Sequence, residues 1–184
     1  MILLQNIILN IIAAAAAIMF FSCRNDLRDI QSLTNVSDLP VIQVHNAEIV
    51  NSDSGYIKMV LKAPLLNRYE HKEDPYLEFP EGVEIKFYSH DYVVTSALTA
   101  NYSKFDEKKK IWESKGNVVA VNMKNEKLET EYLIWDQNLK QIYTDHFVKM
   151  TYADGIIYGD GLRANEDMTR WTVLNPRGII SIDE

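Results

Sequence analysis

The side chains that could do chemistry are few and are scattered along this sequence. The histidines show no spacing typical of metal ligands. No nucleophile elbow, phosphate-cradling glycine loop or Cys–His arrangement occurs either. The sequence therefore predicts a protein that is not an enzyme, with no catalytic residue, no metal site and no cofactor. The histidines are His45, His71, His90 and His146.

Two acidic patterns could still be taken for sites. The stretch DGIIYGDG (Asp154–Gly161) combines aspartates with glycines, as a calcium loop would. Glycine-assisted turns on either side of a short apolar run explain the same residues, and we favour that interpretation. Glu129 and Glu131 share one strand face, as a glycosidase pair could. Charges that simply solvate an exposed strand face are the plainer explanation.

The single cysteine, Cys23, follows an N-terminal segment without charged side chains. Two interpretations of residues 1–22 stay open: an uncleaved membrane anchor long enough to span a bilayer, or a signal peptide that ends in small residues before a cleavage site. The stretch FFSC (Phe20–Cys23) resembles a bacterial lipobox, which predicts that Cys23 is lipidated. The polar residues 23–40 then form a tether from the membrane to the domain.

Composition limits the remaining classes. The chain has 184 residues, 47% of them hydrophobic, which fits one globular domain at 41–184 behind the tether. Its formal net charge of -7 argues against nucleic acid as a partner, because phosphate binding requires a basic face.

From Val41 onward, apolar residues recur mostly with a period of two, which predicts β-strands. The runs VIQVHNAEIV and YIKMVLKAP flank the turn NSDSG and predict a first hairpin. Val83, Ile85 and Phe87 alternate toward one face of a later strand. Residues 65–80 are charged and bounded by proline, and they predict a long loop or a short helix. The fold class is therefore all-β.

The sequence predicts a repeated two-stranded unit in the second half of the chain. When the sequence is aligned on Asp106, Asp136 and Asp167, an apolar residue lies six residues after each aspartate and another lies twelve residues after it. Stacked hairpins share a core that one hairpin cannot form alone. Such hairpins either close into an up-and-down barrel or remain an open jelly roll.

Several stretches occur together in a characteristic order, and as a series they resemble the LptC family of lipopolysaccharide-export proteins. The resemblance covers roughly residues 40–182 and is strongest to lipoprotein members from Bacteroidetes-type bacteria. It implies an all-β fold, an open OstA-like β-jelly roll of repeated antiparallel hairpins. The stretches are YLEFPEGVEIKFY, IWESKGNVVA, LETEYLIWD, QIYTDHFV and GDGLRA.

The same resemblance implies a function at the periplasmic face of the inner membrane. Such a protein receives lipopolysaccharide from an inner-membrane ABC transporter and shields its acyl chains in an apolar groove. It then hands the lipid to a periplasmic bridge protein of the same fold, roll joined to roll by their edges. A different class stays open beside it: a membrane-anchored structural or protein-interaction β-domain lipoprotein without lipid cargo.

The alternation of side chains along the strands predicts which residues line the groove, and two glycines near the C-terminus predict an edge for a partner. Alternate residues of a strand point to opposite faces, so residues that share the face of Trp112 are expected to line the groove. Glycine lets another backbone approach closely, which predicts a partner edge at Gly159, Gly161 and Leu162. The expected groove residues are Leu98, Ala100, Tyr102, Trp112, Val118, Ala120, Leu128, Tyr132, Ile134, Ile142 and Val148.

Overall fold

A computed structural model describes residues 39–70 and 74–178, and their regular structure is entirely β. None of the elements in these ranges is a helix with the length and apolarity to cross a membrane. The predicted anchor at 1–22 and the predicted lipidation of Cys23 lie outside the described residues. The strands are β1 (Ile42–Asp53), β2 (Tyr56–Tyr69), β3 (Tyr76–Phe79), β4 (Val83–Tyr88), β5 (Val94–Ala100), β6 (Tyr102–Asp106), β7 (Ile111–Asn122), β8 (Lys127–Asp136), β9 (Gln141–Tyr152), β10 (Gly155–Asn165) and β11 (Trp171–Val173).

The strands form one antiparallel sheet with the connectivity of a meander. β3 and β4 both pair with β2 and behave as one interrupted strand. β5 and β6 likewise both pair with β7. Every pairing is antiparallel, with β1 at one side of the sheet and β11 at the other. Short turns join successive strands, and this is the arrangement that the hairpin pattern of the sequence predicts.

A line of backbone irregularities crosses this sheet, and we call it the crease. Gly116 and Asn117 have φ of 72° and 45°, and the register of β7 against β8 shifts at this point. Gly161 has φ of 117°, and the register of β10 against β9 shifts beside it. Asn101 separates β5 from β6, and its amide donates to the Gly116 carbonyl over 2.9 Å. Bulges bend strands and strengthen their twist, so aligned bulges fold a sheet.

The crease divides the sheet into two leaves. The first leaf ends in the turns at 107–110, 137–140 and 166–170, and the second leaf ends in the turns at 89–93 and 123–126. Phe87 of the second leaf packs edge-on against Trp135 of the first, with ring centroids 5.4 Å apart, although their strands are not neighbours. The inner faces of the leaves therefore pack against each other and share the core.

The prediction of a loop or short helix at 65–80 is wrong for most of that segment. β2 continues to Tyr69, and β3 covers Tyr76–Phe79. Leu66 and Phe79 are buried, so core packing overrides the charged composition of the segment. Residues 71–73 lie outside the described ranges.

The repeated aspartates have a physical role in the first two hairpins. Asp106 Oδ1 accepts hydrogen bonds from the amides of Lys108 and Lys109. Asp136 Oδ1 accepts the equivalent bonds from the next turn, so both carboxylates stabilise the turn that follows their strand. In the third hairpin, Asn165 rather than Asp167 ends the strand, and its Oδ1 accepts from the amide of Arg170, the residue directly before β11. The sequence alignment on Asp167 is therefore displaced.

Replacing Asp136 with alanine is expected to lower the free energy of unfolding by about 1–2 kcal/mol, because two amides of the turn lose a charged acceptor. Urea unfolding of the variant and the parent measures the difference. Asp145→Ala is the control, since that carboxylate is exposed on β9. Equal losses for the two variants would show that the turn bonds contribute nothing specific.

Candidate functional site

The two leaves present different chemistry to the interior. The first leaf contributes large aromatic rings, whereas the second contributes a row of aliphatic side chains. The aromatic residues are Phe79, Phe105, Trp112, Trp135 and Trp171, and the aliphatic residues are Leu61, Ile85, Leu98, Ala120, Leu128 and Met150. This interior is mainly apolar, with a few buried hydroxyl groups such as Ser103 and Ser114 bonded to each other, and it suits an apolar ligand better than a catalytic centre.

The aromatic rings form one connected stack. Trp112 lies at the centre, with ring centroids 4.6 Å from Phe105, 5.6 Å from Phe79 and 6.1 Å from Trp135. The Trp112 side chain is buried, and its Nε1 has no hydrogen-bond acceptor among the described residues. Trp135 is the outermost of these rings and lies at the opening between the two leaves, which we call the mouth. There its Nε1 donates to Glu166 Oε1 over 2.8 Å. The stack therefore connects the core to the surface.

A cavity of about 960 Å³ opens at this mouth. One wall is the second leaf at Phe87 and Ser96, and the opposite wall is the first leaf at Trp135 and the turn from Glu166 to Trp171. Its size lies at the upper end of the range for small-molecule pockets, which is roughly 300–1,000 Å³. Its lining combines aromatic side chains with charged side chains of both signs, including Lys140 and Arg170 beside acidic residues.

Two turns meet beside this cavity and connect the leaves. The β7–β8 turn comprises residues 122–126, and the β10–β11 turn comprises residues 165–171. Trp171 Nε1 donates to Glu126 Oε2 over 3.0 Å, and Asn122 Nδ2 donates to the Met168 carbonyl over 2.8 Å. We call these contacts the latch. They join the outer end of the second leaf to the outer end of the first.

Hydrogen bonds within the β7–β8 turn and across the latch lower the pKa of Glu126 below its usual value. The largest cause is the hydrogen bond from Asn122, followed by the one from Trp171, while burial acts in the opposite direction. Lys124 adds a smaller favourable charge. Because the folded state depresses this pKa, the contribution of Glu126 to stability is present above the unfolded value, near 4.5, and is lost as the pH falls through the folded value.

Acidification is therefore expected to destabilise the parent protein more than a Glu126→Gln variant. Urea unfolding between about pH 3 and 7 measures this, as the difference in stability between the two proteins at each pH. The difference should be largest at neutral pH and should shrink on the acidic side of the usual glutamate range. A difference that stays constant with pH would contradict the assigned role of the carboxylate.

The structure places most of the expected groove residues on the inner face, and all of these are buried. They are Leu98, Ala100, Trp112, Val118, Ala120, Leu128, Ile142 and Val148. Val118, Leu128 and Val148 are 0% exposed, so they lie in the packed core and not on an open surface. Whether lipid reaches them stays a prediction.

The other three expected groove residues lie on the outer face. Tyr102 and Tyr132 are both directly opposite Lys115, and Ile134 is opposite Glu113. From β5 into β6, and within β8, the alternation in and out breaks at the crease and resumes with the opposite parity. Ser103, Leu133 and Trp135 occupy the inner positions instead.

The predicted partner edge also needs correction. Leu162 is 0% exposed and lies in the core. At Gly159 and Gly161 the edge of β10 is covered by the chain's own residues 171–177, because Leu174 and Arg177 exchange backbone hydrogen bonds with β10. A free strand edge is therefore not present at these glycines. The other side of the sheet ends in β1, whose Ile42, Val44 and Val50 side chains are exposed.

Sequence reasoning missed the residues that form the mouth. Phe87 was placed correctly on one strand face, but its contact with Trp135 depends on the fold at the crease. Asn122, Glu126 and Trp171 lie in or beside turns, where no periodic pattern marks them. A tryptophan directly after a polar turn was the one available signal, because an indole with a buried N–H needs an acceptor.

Comparison with known proteins gives one informative result. The family model described as "Lipopolysaccharide-assembly, LptC-related" matches residues 8–180. A search of the curated proteins returns no significant match.

Proposed function

Since this chain belongs to the LptC family, whose members take part in lipopolysaccharide transport, we propose that it carries lipopolysaccharide with the acyl chains held between its two leaves. In this proposal it receives the lipid from an inner-membrane ABC transporter and passes it to a periplasmic bridge protein of the same fold. The family is periplasmic and associated with the inner membrane. Lipidation of Cys23 would anchor this member there.

The observation that carries the proposal is the cavity at the mouth and its continuity with the aromatic stack. An acyl chain gains about 0.8 kcal/mol for each methylene removed from water, so an apolar interior binds it without a specific polar contact. Trp135 lines the cavity and stacks on Trp112 in the core. A lipid that enters at the mouth therefore meets the Trp135 ring, which stacks directly on the aromatic core.

The transfer step requires contact between carriers, and sheet edges supply it. A strand edge adds another chain by main-chain hydrogen bonds, with exposed side chains setting specificity. β1 offers such an edge, with Ile42, Val44 and Val50 exposed beside its backbone. On the opposite side, a partner would have to join β11 and the segment that follows it.

A second candidate function is supported by the burial of the core. Val118, Leu128 and Val148 are completely covered, as in a domain with a filled interior that binds only protein. Such a β-domain lipoprotein would have no lipid cargo. The cavity beside Phe87 and Trp135 favours the lipid carrier, and the experiment below separates the two.

Photo-crosslinking of the full chain to purified lipopolysaccharide tests the proposal. A photoreactive residue at Ser96 lies in the cavity wall, whereas one at the adjacent Ala97 lies on the outer face opposite Val121. Both positions are half-buried, so they form a matched pair. We expect cross-links at Ser96 and few or none at Ala97. The reverse pattern would contradict the site, and no lipid at either position would favour the protein-binding domain.

A further inference from the structure

The latch joins two turns that are each held in shape from within. Asn122 Oδ1 accepts from the amides of Lys124 and Glu126, which fixes the β7–β8 turn. In the β10–β11 turn, Asn165 Oδ1 accepts from the Arg170 amide over 2.8 Å, and Asp167 Oδ1 accepts from Thr169. Each turn therefore keeps its internal hydrogen bonds if the contact between the turns is broken.

Few contacts cross from one turn to the other, and they differ in kind from the packing of the core. The polar ones are the indole–carboxylate bond of Trp171 and the amide–carbonyl bond of Asn122. Beside them, Met168 is 2% exposed, and the ring of Trp171 packs against Tyr152 at the end of β9, 5.6 Å between centroids. Hydrogen bonds to charged groups are short-range and directional, so such a contact is either made or broken.

The closed latch leaves too little room for a lipid with several acyl chains. The cavity has the volume of a small-molecule pocket. Behind it, Phe87 and Trp135 touch across the gap between the leaves, and the core beyond them is filled. More apolar surface becomes available only if the leaves separate on this side.

We infer that the contact between residues 122–126 and 165–171 is a latch on the lipid site, and that it must open for a multi-acyl lipid to enter between the leaves. The inference rests on the proposed function, and it adds the route of entry and the residues that control it. Glu126 and Trp171 are the central pair. The crease, where β10 bends at Gly161, is the place where the backbone can accommodate the movement.

Distance measurement tests the opening without lipid transport. Spin labels are placed at Lys124→Cys and Arg170→Cys, one on each turn, in the full chain carrying Cys23→Ser. In Trp171→Phe, which retains a ring but removes the N–H donor, we expect a longer distance to appear and its population to rise by roughly tenfold or more. Adding lipopolysaccharide to the parent should increase the same population.

Trp135→Phe is the matched control for these distances. It also removes an indole–carboxylate bond, to Glu166, but both partners belong to the first leaf. Its distance distribution should equal that of the parent. If neither Trp171→Phe nor lipopolysaccharide changes the distance distribution, the latch does not open and the inference is wrong. If both tryptophan variants shift the distribution equally, the substitutions loosen the whole domain, which also contradicts a specific latch.

Locking the latch tests its effect on loading. The same cysteine pair is joined with a short, reducible bis-thiosulfonate reagent, and lipid cross-linking is followed from Ser96. We expect at least a tenfold loss when the pair is joined and recovery after reduction. The Lys124→Cys single variant, modified with a monofunctional reagent of the same class, should load normally, because Lys124 is exposed and does not line the cavity. Loading through the locked pair would overturn the inference.

The distance measurement and the lipid-loading experiment distinguish failure of the latch from failure of the proposed function. If no state of the chain cross-links lipopolysaccharide, the proposed function fails and the role in lipid entry fails with it. The spin-label distances would then still decide whether the two turns part when the Trp171 bond is removed. If lipid loads but the distances never change, the carrier proposal survives and the latch does not.

Discussion

Replacing Trp112 with alanine is expected to lower the free energy of unfolding by about 3–5 kcal/mol, as for other large aromatic residues removed from a core. The side chain is buried and stacks on Phe79, Phe105 and Trp135, so no single neighbour can fill the space that it leaves. Urea unfolding measures the loss, and hydrogen exchange should show the first leaf opening first.

Trp112→Phe separates the loss of volume from the loss of the indole N–H. The buried Nε1 has no acceptor among the described residues, so removing this group relieves an unpaired donor. The phenylalanine variant should therefore lose much less stability than the alanine variant. Trp135→Phe gives the contrast, because its Nε1 bond to Glu166 is lost. A larger loss for Trp112→Phe than for Trp135→Phe would show that the Trp112 indole has a partner.

Replacing Gly159 with alanine is expected to displace the C-terminal segment from β10 and to lower the free energy of unfolding by about 1–3 kcal/mol. A Cβ at this position would lie closer than 3.0 Å to Val173 Cγ1 and to the Leu174 carbonyl oxygen. The carbonyl belongs to the backbone and cannot rotate away like a side chain. The segment at 171–177 must shift as a whole.

Hydrogen exchange locates the effect of this variant. The Leu174 amide donates to the Gly161 carbonyl over 2.8 Å, and the Arg177 amide donates to the Tyr158 carbonyl over 2.7 Å. Both amides should exchange faster in Gly159→Ala, while β7 and β8 keep their protection. Ile156→Ala, an exposed position of the same strand, is the control. Unchanged protection of Leu174 would mean that the segment tolerates the methyl group.

The sequence predicted the strands well because period-two patterning and short turns are local properties. It predicted the inner face of β7 from Trp112 to Ala120, where the bulge at Gly116 and Asn117 preserves parity. It placed Tyr132 and Ile134 on the wrong face, since nothing in the sequence of β8 marks the point where the strand crosses the crease. The latch was beyond prediction for a related reason: it joins turns that only the folding of the sheet brings together.

The crease also fixes the register of any strand that pairs with an edge of this sheet. A strand that extends β1 must match the backbone conformation at Asn46, where φ is 52°, and a strand beyond β11 must match the bend at Gly161. A slip of one residue would turn its apolar side chains outward, and a slip of two would move its bend about 7 Å along the strand. If molecules join edge to edge as in the proposed function, a neighbour in the matching register would bring its apolar interior beside that of the first molecule, and a neighbour out of register would not.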